Sequence, residues 1–78
     1  MTNESIYETK QALVHEILKT RRERNMTQKN IEAARGVKQP VIARMERGLT
    51  DPQLTTILKV LAPLGKTLAI VPLDVDED

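Results

Sequence analysis

One stretch of this 78-residue chain, Met26 to Gly48, constrains the fold more than any other. Thr27 is a suitable helix N-cap, because its hydroxyl can accept a hydrogen bond from a free backbone N–H of the first turn. Gly36 stands where the helix that follows would need a left-handed residue in order to end. Pro40 favours the start of a new helix, and Gln39 before it is biased away from helical geometry, which makes it the boundary residue. The stretch therefore predicts two short helices joined by a tight turn.

Two short helices with a glycine turn form the arrangement in which the second helix enters the major groove of DNA. The apolar residues agree, because helical spacing lets them close a small core; they are Ile31, Ala34, Val37, Ile42 and Met45. Polar and basic side chains stay outside, namely Gln28, Lys29, Lys38, Gln39, Arg44 and Arg47. Such groups neutralise phosphates and read base edges, although the same pattern also suits a helix face that is merely solvated.

The distribution of charge favours DNA binding, although the net charge of +1 alone does not. Residues 19–47 hold nine basic and three acidic groups, a local charge of +6, whereas residues 74–78 hold four acidic groups. A basic block followed by an acidic tail indicates a polyanion site on one side of the molecule. Tyr7 is the only aromatic residue, which counts against a single-stranded nucleic-acid binder, because such proteins stack bases on aromatic side chains.

Further helices are predicted on either side of this stretch. A long helix from about Ser5 to Arg24 would bury one stripe, which consists of Ile6, Leu13, Val14, Ile17 and Leu18. Asp51 as N-cap, with Pro52 at the first helical position, predicts another helix start. The stripe that this helix would bury consists of Leu54, Ile57, Leu58 and Leu61, and Gly65 would end the helix.

The segment 67–72 is apolar and β-branched, which predicts the only strand of the chain. A single strand leaves its backbone groups unpaired, so its simplest partner is the same strand of a second copy, antiparallel across a two-fold axis. The residues expected to form this contact are Leu68, Ala69, Ile70 and Val71. The alternative is that the segment packs only on its own helices. A two-fold dimer would place two recognition helices about 34 Å apart and require a palindromic DNA site.

The stretch from Thr27 to Gly48 resembles the Cro/repressor-type (XRE) helix-turn-helix. From Gly36 to Pro72 the sequence resembles more narrowly the HigA-type antitoxins, and its ending L-G-K-T-L-A-I-V-P is typical of HigA and HipB antitoxins that finish in a dimerising strand. The resemblance covers about Leu18 to Pro72. It implies a mainly α fold, a lambda-repressor-like bundle of four to five helices with one C-terminal strand that pairs across a homodimer.

The expected organisation follows from these elements. It consists of a disordered N-terminus at 1–4, a helical DNA-binding domain at 5–66 with the helix-turn-helix at 27–48, a dimerisation strand at 67–72 and an acidic tail at 73–78. The resemblance also implies the roles of single residues. Gln28 would bond a phosphate and Gln39 would read a base. Pro40 and Ala43 would lie against base edges, and Arg44 would reach a base or a nearby phosphate.

The remaining roles implied by the resemblance concern the DNA backbone and the core. Lys38 and Arg47 would hold the DNA backbone, with Lys29 on the same face. Arg21 and Glu46 match an ion pair between the first and third helices. The chain departs from the family at Lys38, where serine is frequent, and at Pro40, which replaces a residue that often donates a hydrogen bond to DNA. These departures put the operator sequence beyond prediction.

The resemblance implies three partners, namely double-stranded operator DNA, a second copy of the chain and a toxin. In HigA-type pairs the toxin is a small basic ribonuclease of RelE-like fold, and the complex represses its own promoter. Candidate toxin-facing groups are Glu4, Glu8 and Glu16 of the first helix and the tail Asp74–Asp78. Two alternatives stay open: a stand-alone XRE-family repressor, and a HipB-like antitoxin of a kinase toxin.

No catalytic or metal site is expected. His15 and Ser5, the only histidine and serine, would lie about 15 Å apart on one helix, which is too far for a nucleophile–base pair. There is no cysteine for a disulfide or zinc site, and the three glycines are too widely spaced for a phosphate loop. With neither a membrane span nor a signal-peptide pattern in the sequence, we expect a cytoplasmic protein without enzyme activity or cofactor.

Overall fold

The computed structural model describes residues 3–73, with the side chains of residues 3 and 4 excluded. Four α-helices follow one another: α1 (Asn3–Glu23), α2 (Gln28–Arg35), α3 (Gln39–Glu46) and α4 (Leu54–Leu61), and a short 3-10 turn at Ala62–Leu64 extends α4. The fold is a helical bundle, and residues 3–73 contain no strand. Helix α1 includes part of the segment expected to be disordered; residues 1–2 and the acidic tail 74–78 lie outside the described range.

The start and end of α2 are confirmed. Thr27 is the N-cap: its hydroxyl accepts a hydrogen bond from Asn30 N at 3.0 Å, and the Asn30 side chain accepts one from Thr27 N at 2.9 Å. This reciprocal capping satisfies two otherwise free N–H groups. Gly36 has a φ of +75° and donates its N–H to Glu32 O at 2.7 Å, so the left-handed residue is where the helix needs it.

Helix α3 begins one residue earlier than expected. We expected Gln39 to be the boundary residue, but Gln39 is the first helical residue and Lys38 is the N-cap. Lys38 makes no side-chain cap, and a carboxylate oxygen of Glu32 in α2 accepts the Gln39 N–H at 3.2 Å instead. This contact offsets the bias against helical geometry before Pro40. The end is also earlier, at Glu46 rather than Gly48.

The predicted start of α4 at Asp51 is wrong. Gln53, with extended backbone angles, is the N-cap, and Asp51 and Pro52 lie in the preceding loop. Two contacts hold that loop away from helical geometry. Lys10 Nζ of α1 donates to Thr50 O at 3.2 Å, and the N–H of Leu49 donates to Arg44 O at 3.0 Å.

The predicted buried face of α4 is also partly wrong. Leu54 and Leu58 are 62% and 39% exposed, whereas Val60 and Leu61 are buried. The core uses a stripe of the same spacing that lies one turn further on, made of Ile57, Val60, Leu61 and Leu64. Leu64 is fully buried in the 3-10 turn, so it extends this stripe beyond the end of the α-helix.

The core brings all the helices together around fully buried side chains. Its buried members are Val14, Ile17, Ile31, Val37, Ile42, Met45, Val60, Leu61 and Leu64. Ala34, expected in this core, is exposed, because α2 turns only Ile31 inward. Ile6 is also exposed. Leu13 and Leu18 are half-buried. The core therefore fixes α2 and α3 against the C-terminal half of α1.

The segment after the 3-10 turn forms no strand within this chain. Leu68 packs on the core, whereas Ala69, Ile70 and Val71 are exposed, and Ile70 is fully so. A strand exists only where its backbone pairs with a neighbour, and residues 3–73 of one chain supply no second strand. None of the helices in the same range is long and apolar enough to cross a membrane.

Candidate nucleic-acid interface

The exposed face of α3 carries four of the eight residues expected to contact DNA. Pro40, Ala43 and Arg44 of α3 and its C-cap Arg47 are spaced like i, i+3, i+4 and i+7, so they follow one side of the helix, on which Ala43 is half-buried and the others are exposed. Ile42 and Met45 on the other side are fully buried. Arg44 and Arg47 are exposed and have no ion-pair partner in the described part of the chain. The core thus presents a short, partly cationic helix face to solvent.

The other expected residues lie at the start of α2 and at the start of α3. Lys38 precedes α3 and is exposed, while Lys29 lies in the first turn of α2, where its side chain is 78% exposed. Lys29 approaches Glu32 only loosely, at 3.9 Å, so its charge stays available to a phosphate. Gln28 and Gln39 are half-buried, because they face each other between the two helices.

A continuous polar network runs from α1 to the first turn of α3. Arg21 donates to both carboxylate oxygens of Glu46, from Nε at 2.6 Å and from Nη2 at 2.9 Å. Gln28 Nε2 donates to Glu46 Oε1 at 2.8 Å. Gln39 Nε2 in turn donates to Gln28 Oε1. Four side chains from three helices are therefore connected, and the ion pair implied for Arg21 and Glu46 is present.

The chemistry of this network fixes the orientation of both amides. The Glu46 carboxylate can only accept, so Gln28 must turn its NH₂ group toward it. The oxygen of Gln28 then faces Gln39, and Gln39 must answer with its own NH₂ group. The oxygen and one N–H of Gln39 find no partner among residues 3–73. Gln39 thus has one free hydrogen-bond acceptor and one free donor on a side chain that the contact with Gln28 holds in place.

The Gln28 amide, which is expected to bond a phosphate, is largely occupied by contacts within the protein. Both heavy atoms of its amide are engaged within the protein, and only one N–H remains for a phosphate. Its main part in the structure is to hold Gln39. Two further contacts are not predicted from the sequence, because both depend on packing between helices. The Glu32 carboxylate accepts a hydrogen bond from the Gln39 N–H, and Arg21 Nη1 donates one to Met26 O at 2.8 Å.

The residues that the structure describes hold no group of three or more histidine, cysteine or carboxylate side chains that suits a metal ion. His15 is exposed on α1. Among residues 3–73, the most extensive network of hydrogen-bonded polar side chains is therefore the one between α2 and α3.

Comparisons with known proteins identify the family of this chain. The family model described as Helix-turn-helix matches residues 17–71. A Haemophilus influenzae protein, described as an uncharacterized HTH-type transcriptional regulator, is 58% identical over 64 residues, which are 82% of this chain and 65% of that protein.

A solved structure, "Toxin-Antitoxin module from Streptococcus pneumoniae", is similar with a TM-score of 0.72 and 53% identity, over 94% of this chain and 83% of that one. The family match covers all of α2, α3 and α4 and the second part of α1. It therefore includes every residue of the polar network and of the exposed α3 face. The chain belongs to the XRE-type helix-turn-helix family.

Proposed function

We propose that this chain is the antitoxin of a toxin–antitoxin pair of the HigA type. It binds operator DNA as a dimer, represses its own promoter and neutralises a small ribonuclease toxin in the cytoplasm. The observation that carries the antitoxin role is the 53% identity, over 94% of the chain, to a chain of a toxin–antitoxin module. The DNA-binding role is supported independently by the exposed face of α3 and the amides held behind it.

In this proposal α3 enters the major groove and Gln39 reads a base. An adenine presents an acceptor at N7 and a donor at its N6 amino group, which is the complement of the free N–H and free oxygen of Gln39. The contact with Gln28 holds the side chain in place before DNA arrives, so little rotamer entropy is lost on binding. Gln39 therefore favours adenine at one position of each half-site.

The basic residues act on the backbone and the neighbouring bases. Lys38 and Arg47 stand at the two ends of α3 and Lys29 in the first turn of α2; all three are exposed and neutralise phosphates. Arg44 lies one turn after Pro40 and reaches a base or the adjacent phosphate. Pro40 and Ala43 lie against base edges, where an apolar surface suits a thymine methyl group. Each phosphate contact releases counterions, so the affinity falls as salt rises.

Dimerisation takes place through the C-terminal segment. Leu68, Ala69, Ile70 and Val71 pair with the same residues of a second copy as two antiparallel strands. The complete exposure of Ile70 supports this, because a large apolar side chain gains most when a partner covers it. Two-fold pairing then presents two α3 helices to a palindromic operator.

The toxin binds the first part of α1. Ile6 and Tyr7 are more than half exposed there, and the exposed carboxylates of Glu8 and Glu16 lie on the same helix. An apolar and acidic surface suits a basic toxin, because charge complementarity speeds and orients association. Glu4 and the tail Asp74–Asp78 add further acidic residues, whose side chains lie outside the described part of the structure.

Co-expression with the adjacent open reading frame tests the antitoxin role. We expect the neighbour alone to arrest growth and this protein to restore it, with co-purification of the two. A harmless neighbour would favour the alternative, a stand-alone XRE-family repressor. RNA cleavage by the purified neighbour separates the ribonuclease toxin from a kinase toxin of the HipB kind. Gel-shift titration with the DNA upstream of the gene tests operator binding separately.

A further inference from the structure

A groove of about 350 Å³ lies between α1 and the segment that follows the 3-10 turn. Leu13, Ile17, Leu61 and Leu68 give it an apolar floor. Two acidic and two basic side chains border it, so its charges balance. A balanced rim above an apolar floor does not favour a polyanion, and it suits an apolar side chain instead.

The residue that can fill this groove is on the same segment but does not occupy the groove of its own chain. Leu68 lines the groove and packs on the core, whereas Ile70, two residues later, is fully exposed. In a strand, residues two positions apart point to the same face. In a paired strand, Ile70 therefore points to the same side as the groove, but it lies beyond the end of the groove of its own chain.

We propose that Ile70 of a second copy occupies the groove of the first, and that the two-fold axis passes through Ala69. This rests on the dimer under the proposed function and specifies its register. With Ala69 opposite Ala69, Leu68 of each copy lies opposite Ile70 of the other, with Cβ atoms about 4.5–5.5 Å apart. Both exposed isoleucines are then covered over the two apolar floors.

The backbone is compatible with this register. If the Ala69 pair is a hydrogen-bonded one, the donors are residues 67, 69 and 71, all of which have an N–H. Pro72, which has none, then falls at a position that needs no donor. The neighbouring register, with Ile70 opposite Ile70, also accommodates Pro72. It places Leu68 opposite the smaller Pro72, however, and leaves the groove without its isoleucine.

Single cysteines distinguish the two registers in the full chain, because the sequence has no cysteine of its own. In the proposed register the two Ala69 Cα atoms are about 5.5 Å apart, within the range of a disulfide. The two Ile70 positions are diagonal, about 7–8 Å apart, which is too far. Under mild oxidation we expect A69C to form a covalent dimer on non-reducing gels and I70C to stay monomeric on them. Faster cross-linking of I70C would overturn the register.

Filling the groove with a larger side chain tests whether Ile70 of the second copy occupies it. L13W places a bulky ring on the groove floor, and we expect the dimer dissociation constant from sedimentation to rise by about tenfold or more. H15W adds the same ring to the exposed side of α1 and should leave that constant unchanged. Circular dichroism and thermal melting verify that both variants fold. An unchanged dimer constant for a folded L13W would overturn the groove as the seat of Ile70.

The two proposals fail in different ways. A wild-type chain that is monomeric up to the highest measurable concentration would overturn the dimer itself, and the groove assignment with it. A wild-type chain that is dimeric and binds operator, combined with faster cross-linking of I70C or an unaffected L13W, would overturn the groove assignment alone.

Discussion

Arg21 and Glu46 are joined by two hydrogen bonds, from Nε to Oε2 at 2.6 Å and from Nη2 to Oε1 at 2.9 Å. Only 11% and 4% of the two side chains are exposed. The pair fastens the end of α1 to the end of α3, and it also positions the carboxylate oxygen to which Gln28 donates. An ion pair in the core is thus connected to the side chain that is proposed to read a base.

Removing one member of this pair should destabilise the fold strongly. R21A leaves the Glu46 carboxylate buried without its cation, which typically costs about 3–5 kcal/mol. Urea denaturation should show this as a lower midpoint. K29A, which removes an exposed and loose ion pair, should change the free energy of unfolding by less than about 0.5 kcal/mol. Equal midpoints for R21A and wild type would contradict a structural role for the pair.

Gln39→Ala should weaken operator binding by roughly 1–3 kcal/mol and relax the preference at one position of each half-site, because it removes the proposed base contact. Gel-shift titration against operators that vary one base at a time measures both effects. Q53A is a suitable control, since Gln53 is exposed before α4 and lies outside the interface. If Q39A binds operator with the affinity and base preference of wild type, Gln39 does not read DNA.

Gln28 and Gln39 should act as one unit. Q28A leaves the Gln39 amide without its acceptor, so part of the loss in Q39A should already appear in Q28A. The double variant should then lose less than the two single losses together, with a coupling of about 0.5–3 kcal/mol in a double-mutant cycle on operator affinity. Additive losses would mean that the hydrogen bond between the two amides does not contribute to operator affinity.

Arg47→Ala should reduce the salt dependence of DNA binding. A residue that holds a phosphate affects all sequences alike, and its loss lowers the slope of log affinity against log salt by about 1. R22A serves as the control, because Arg22 is exposed on α1 and outside the proposed interface. A change of base preference in R47A, without a change of slope, would show that Arg47 contacts a base instead.

The elements that local chemistry determines were predictable from the sequence. Thr27 and Gly36 fix the start and end of α2 through bonds to residues three or four positions away. Helix α4 was not fully predictable, because stripes that begin at Leu54 and at Ile57 have equal spacing. Packing within the bundle, which buries Val60, Leu61 and Leu64, selects the second stripe.

The candidate site likewise has features that the sequence predicts and features that depend on packing between helices. The pattern of exposed and buried residues along α3 follows from the sequence, because Ile42 and Met45 determine which side faces the core. The cap of α3 by Glu32 and the bond between Gln28 and Gln39 depend on how two helices face each other, which helical periodicity does not contain. The strand expected at 67–72 is absent from the single chain, and under the proposed function it forms only when a second copy supplies its partner.

Ile70→Asp should convert the protein into a folded monomer. Ile70 is fully exposed in the single chain, so a carboxylate there costs the fold of that chain almost nothing, and circular dichroism should show the helix content of wild type. In a dimer the same carboxylate would be desolvated against an apolar partner, which disfavours pairing. Operator affinity should fall by about 10²–10⁴, because the second half-site is no longer bound by a linked partner. Y7D, an equally drastic change at an exposed position of α1, should remain dimeric by sedimentation. A stable dimer of I70D would show that dimerisation does not use the C-terminal segment.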